Sequence, residues 1–165
     1  MQTKSLIIKH IQEIPNGSLL YYPELGDGLL CVSAKYDGEL GESTVIVPLS
    51  GTSASPYALQ PLRADQLSGR AVMVDGVKAE VDLCAATRFG NAVAYADNNG
   101  TYVRLRSERT MMASMQCLQL DDGIIRSYPP TAGIGFARWR IVMEEDPSEE
   151  LWNSDMLINE ETAHG

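Results

Sequence analysis

The sequence predicts an all-β fold: an antiparallel meander forming a barrel or sandwich of roughly eight to ten strands, with a short N-terminal helix and an acidic C-terminal helix. Three observations carry this. Gly28, Gly51, Gly76, Gly100 and Gly123 stand 23, 25, 24 and 23 residues apart, and four of them follow Asp or Asn, as positive-φ hairpin turns prefer. Between consecutive glycines lie two extended apolar runs, and helical periodicity is confined to the two ends of the chain. A chain of 165 residues, 44% of them hydrophobic, is long enough to bury one core. Residues 1–142 are therefore expected to form a single β-rich domain, and 143–165 an acidic helix and tail.

Taken in order, SLIIKHIQEI places Ile7, Ile11 and Ile14 on one helical face, and Pro15-Asn16-Gly17 stops it, so a short helix packed on the sheet is expected. LLCVSA and STVIVPL read as strands, with Pro48 marking an edge or a bulge. PYALQPL is the irregular member. RAVMV and VKAEV flank Asp75-Gly76, NAVAYA and TYVRLR flank Asn99-Gly100, and SMQCLQL and IIRSY flank Asp122-Gly123, each pair reading as a hairpin. FARWRIV is the last strand of the series. Asp146-Pro147-Ser148-Glu149 then matches a helix start, with Asp as cap, Pro at the first helical position and Glu three residues after the cap. The helix it predicts carries Leu151, Trp152, Met156 and Ile158 along one side, a stripe expected first to pack on its own domain and second to insert into a partner's groove.

Charge is uneven. Residues 1–87, 88–142 and 143–165 carry −4, +3 and −8, so the net −9 comes almost wholly from the tail. Every Lys or Arg after Lys78 is arginine. With period two, Tyr102, Arg104 and Arg106 share one strand face, Arg126 and Tyr128 another, and Phe136, Arg138 and Arg140 a third, with Val103, Leu105, Ile125, Ala137, Trp139 and Ile141 as the core side. If those strands are neighbours, an Arg/aromatic patch lies on the outer surface, suited to an anionic partner through guanidinium stacking and bidentate contacts. The plainer account is that solvated strand arginines join cross-strand ion pairs, and the acidic tail can dock on the same patch.

Other features mainly exclude. The N-terminus has neither a secretory hydrophobic region nor a spanning segment, so a cytoplasmic protein with no membrane partner is expected. Cys31, Cys84 and Cys117 are odd in number and far apart, which fits reduced, buried thiols and neither a disulfide framework nor a zinc site. Only His10 and His164 are present, and no nucleotide-binding glycine motif occurs, so no cofactor, metal or histidine-based catalysis is expected. Arg126-Ser127-Tyr128 resembles the Arg-x-Tyr carboxylate clamp of fatty-acid-binding barrels, although Pro129-Pro130 departs from that pattern.

The function expected from these features is non-enzymatic binding of another macromolecule. Arg104, Arg106, Arg126, Tyr128, Arg138, Arg140, Tyr102 and Phe136 supply one candidate surface, and Leu151 with Trp152 supply another. A protein is the favoured partner, nucleic acid is disfavoured but left open, and an unclosed strand edge leaves room for a homodimer. The alternatives are a carrier of an apolar or carboxylate small molecule inside a barrel, and, third, a hydrolase without a recognisable motif.

Overall fold

Extended backbone dominates the computed structural model, which describes residues 6–23, 29–37, 44–49, 61–63, 68–88, 92–105, 116–126 and 133–155. The strands are β1 (Ile7–His10), β2 (Leu19–Tyr22), β3 (Leu29–Tyr36), β4 (Val45–Pro48), β5 (Leu62–Arg63), β6 (Arg70–Val74), β7 (Val77–Val81) and β8 (Ala86–Thr87). They continue with β9 (Ala94–Asp97), β10 (Gly100–Leu105), β11 (Gln116–Gln119), β12 (Ile124–Arg126), β13 (Ile134–Phe136), β14 (Trp139–Met143) and β15 (Glu150–Asn153). Among the described residues the only helical elements are two 3-10 turns, Ile11–Glu13 and Leu83–Ala85.

The all-β expectation holds, while its topology is richer than a meander. A twelve-stranded sheet runs β1-β6-β2-β3-β12-β11-β10-β9-β13-β8, with β4 and β5 continuing from β3, and a three-stranded sheet runs β15-β14-β7. The expected antiparallel series of neighbours in chain order forms twice, over β2 to β5 and over β9 to β12, rather than as one continuous meander. Strand β12 then pairs in parallel with the far end of β3, Ile124 beside Lys35. Because β1 and β8 end the path without pairing, the described strands do not close into a barrel.

Both expected helices are strands. Ile7–His10 pairs with β6 at the sheet edge, from Ile7 beside Met73 to His10 beside Arg70. So short a helix gains little by itself, whereas the edge of β6 satisfies the backbone directly, and β-branched Ile7 and Ile8 suit a strand. Ile11 and Ile14 are still buried, through the 3-10 turn. At the other terminus, the Asp146 carboxylate accepts from the Ser148 amide at 3.0 Å, and the Glu149 amide donates to the Asp146 carbonyl at 2.9 Å. A helix cap and an Asx turn use the same kind of side-chain bond, and here Glu150–Asn153 finds β14 to pair with. The expected boundary at 142/143 accordingly falls within β14. Met156 and Ile158 lie outside the described residues.

Two further expectations change at corners between the sheets. Asp75-Gly76 joins strands that do not pair with each other: β6 belongs to the large sheet, and β7 to the small one. FARWRIV is also two strands, with β13 in the large sheet, β14 in the small, and the change at Ala137-Arg138.

One apolar cluster joins the sheets. Leu19, Val32, Val45, Val47, Val103, Leu118 and Ile125 from the large sheet meet Trp139, Ile141 and Trp152 from the small one. The two indole rings lie 4.6 Å apart between centroids, and the Trp152 Nε1–H donates to the Leu49 carbonyl at 3.0 Å, tying the small sheet to the chain that leaves β4. A second cluster, Ile11, Ile14, Leu20, Tyr22, Cys31, Ile46 and Ala71, includes the side chains on the other face of β2 and β3.

Candidate interaction surface

The expected arginine face divides into two groups. Cross-strand register aligns Arg104, Cys117 and Arg126 on β10, β11 and β12, with Tyr95, Tyr102 and Gln119 aligned two positions along. Val103, Leu118 and Ile125 point the other way, into the core, as alternation requires. Tyr102, Arg104 and Arg126 therefore share a face, as expected, but Tyr102 is buried there with Tyr95, Cys117 and Ala92. Burial raises the pKa of the Tyr95 and Tyr102 hydroxyls and pushes that of the Cys117 thiol up to about 12. Arg126 is paired with Asp122 at 3.1 Å, and that hydrogen bond raises its pKa further. Arg106 and Tyr128 lie outside the described residues.

Arg138, Arg140, Leu151 and Trp152 come together on the small sheet. This sheet packs on the core face of the large one, so its outer side and the Arg104–Arg126 row look in opposite directions. Phe136 joins neither group: it stands beside Ala94, which stands beside Val103, and so faces inward and is buried. The corner after it breaks the parity that linked Phe136 to Arg138 and Arg140. Trp152 is likewise core, with Leu151 packed against the same cluster, so neither is offered on an exposed helix.

The outer side of the small sheet is an ion-pair network. Arg140 contacts Glu80 at 3.1 Å and Glu150 at 3.7 Å, Lys78 contacts Glu80 at 2.8 Å, and Arg138 meets Asp82 at 3.8 Å. Arg138 also pairs with Asp155. The Lys78 hydrogen bond, followed by that of Arg140, lowers the Glu80 pKa. These pairs run across β7, β14 and β15, giving the arginines intramolecular acidic partners, two of them from the acidic terminus. A groove of about 410 Å³ beside them includes Leu83, Cys84 and Asn153. Cys84 is exposed, against the expectation that all three thiols are buried, because it lies in a surface 3-10 turn.

A third surface was not legible as such in the sequence. Ile8, Val72, Tyr21 and Leu30 form one cross-strand row over β1, β6, β2 and β3. Leu30 packs against the core, while Tyr21, Ile8 and neighbouring Leu6 are 39%, 55% and 70% exposed. The core face of the large sheet thus continues into solvent at its β1 corner. The Ile11 amide donates to the Gly69 carbonyl, which fixes the phase of the β1–β6 ladder: Ile7 and Lys9 direct their backbone groups to β6, and Ile8 and His10 direct theirs outward. The apolar Leu6-Ile7-Ile8 run was the available signal, absorbed into the helix reading.

Between the sheets lies a half-open pocket of about 320 Å³. Leu19, Val32, Val77, Ala79, Trp139 and Ile141 supply its apolar lining, and exposed Asp121 and Glu144 supply charge. Among the described residues no three His, Cys, Asp or Glu side chains are grouped to hold a metal ion, and no helix is long and apolar enough to cross a membrane. No family model, curated protein or solved structure matches the chain.

Proposed function

We propose that the protein is a non-enzymatic binding module that takes another polypeptide at the open β1 corner of its large sheet. The observation that carries this reading is the row Ile8–Val72–Tyr21, in which Ile8 and Tyr21 are exposed and Val72 half-buried, at an edge strand whose outward backbone groups have no strand partner among the described residues. An added strand satisfies those groups and covers the apolar side chains in one step. The arginine surfaces support binding less well, since Arg126, Arg138 and Arg140 already hold carboxylates. The test is affinity capture from cells, comparing the wild type with Ile8→Asp and Tyr21→Asp, each checked for an unchanged unfolding midpoint. A partner retained by the wild type and lost from both variants supports the reading; a partner held equally by all three refutes it.

The inter-sheet pocket favours a second reading, a small-molecule carrier, because its volume lies at the lower end of the ligand-pocket range and its apolar lining is accompanied by charged groups. Native mass spectrometry of gently purified protein tests this. A mass excess released on denaturation supports a carrier, and the bare chain mass at every gentle condition counts against it.

A further inference from the structure

The β1 edge and the β15 edge are complementary to each other. Leu6–Gln12 contains Lys9 and His10 and no acidic residue, and Arg70 stands beside His10 on β6. Ser148–Asp155 contains Glu149, Glu150 and Asp155 and no basic residue, and β15 pairs only with β14 among the described strands. We propose that the polypeptide accepted at β1 is β15 of a second copy of this chain, so that the protein self-associates head to tail.

Register makes the match specific. A copy of β15 laid antiparallel beside β1, with Leu151 opposite Ile8, sets Glu150 opposite Lys9, and the ladder ends there because β15 bulges at Leu151 and the Glu149 carbonyl accepts from Met143 of β14. The two symmetric alternatives match worse. A β1–β1 pair centred on Ile8 sets Lys9 opposite Ile7, leaving it without an acid, and a β15–β15 pair brings acids together with no basic residue. Glu150 already meets Arg140 at 3.7 Å and accepts from the Asn153 side-chain amide, so pairing with Lys9 exchanges the Arg140 contact, while Arg140 keeps the nearer Glu80 at 3.1 Å. Since the contact joins two different surfaces, each added copy presents the next free edge, and association grows into rings or open chains rather than stopping at a dimer.

This inference rests on the reading of β1 as the binding edge, and one set of samples separates the two. Sedimentation velocity of the full chain over a wide concentration range, at low and high salt, is expected to show a growing series of oligomers that salt weakens. Lys9→Glu with His10→Glu, and separately Glu149→Lys with Glu150→Lys, each weaken association about tenfold or more. Mixing the two charge-reversed chains restores it, because each then supplies the other's complement. A wild type that stays monomeric overturns the proposal, and the capture experiment then decides the β1 reading alone. Association that survives Glu149→Lys/Glu150→Lys but is lost in Ile8→Asp also overturns it, pointing to a symmetric β1 dimer and leaving the binding edge in place. Association indifferent to Ile8→Asp overturns both.

Discussion

Cys31 and Cys117 lie at zero exposure, and burial pushes both thiols up to about 12, whereas Cys84 is exposed on its 3-10 turn. Because the thiolate is the nucleophile, the two buried sulfurs are protected twice, by access and by protonation. A thiol-alkylating reagent at neutral pH is expected to add once to the native protein, at Cys84, and three times after denaturation; mass spectrometry reads both values directly. The glycines separate in the same way. Gly76 and Gly123 have almost the same φ, 69° and 70°, yet an added Cβ at Gly76 meets only the Met143 Cε at 4.0 Å, whereas at Gly123 it meets the Gly17 amide nitrogen at 2.1 Å. Gly76→Ala is therefore expected to cost about 1–2 kcal/mol for the left-handed backbone alone. Gly123→Ala must also force apart two turns and is expected to cost clearly more, read as the difference in urea midpoints. Sequence spacing marked both glycines as equivalent turns. It had no means to reveal that Gly17 and Gly123, distant along the chain, touch through their backbones.

At the scale of elements, the runs flanking Asn99-Gly100 and Asp122-Gly123 were legible as hairpins because turn chemistry and strand alternation agreed there. They misled where one local pattern serves two structures. Asp146-Pro147-Ser148 satisfies its amides equally well before a helix or a strand, and the choice is made by β14, which local sequence does not show. Trp139-Arg140-Ile141 alternates as expected, but the small sheet it enters also depends on β7, from a distant part of the chain. Glu80 holds that sheet electrostatically, between Lys78 and Arg140. Its folded-state pKa is lowered, so its contribution is full above the ordinary glutamate range and is lost as pH falls through the folded-state value. Glu80→Gln is expected to destabilise the protein at neutral pH by about 0.5–1 kcal/mol, a difference that shrinks toward zero in acid. Urea unfolding of both proteins at the two pH values checks this, and a gap that persists in acid assigns the effect to packing rather than charge.

For the whole molecule, Val103, Leu105, Ile125, Trp139 and Ile141 lie on the core side as alternation predicts, whereas Ala137, expected with them, is exposed at the corner before β14. The expected division sets an acidic helix and tail apart at 142/143. Charge drew that boundary, whereas packing ignores it: Trp152 reaches back to the Leu49 carbonyl and stacks beside Trp139. Ser154 adds a second tie, accepting from the Trp139 amide at 3.1 Å and donating its own amide to the Trp139 carbonyl at 2.9 Å. The β15 strand thus completes the layer over the common core, and its removal exposes apolar surface on both sheets. Trp152→Phe keeps most of the ring but orphans the Leu49 carbonyl, for an expected loss of about 1–2 kcal/mol, and Trp152→Ala adds a cavity, for about 3–5 kcal/mol. Truncation after Met143 removes the whole strand and is expected to cost more than either. Trp139 and Trp152 are the only tryptophans, so fluorescence of the truncated chain reports on Trp139 alone. A red-shifted emission with a lowered unfolding midpoint is expected. Unchanged Trp139 emission and an unchanged midpoint would instead make residues 144–165 an appendage, and would remove β15 from the structural core.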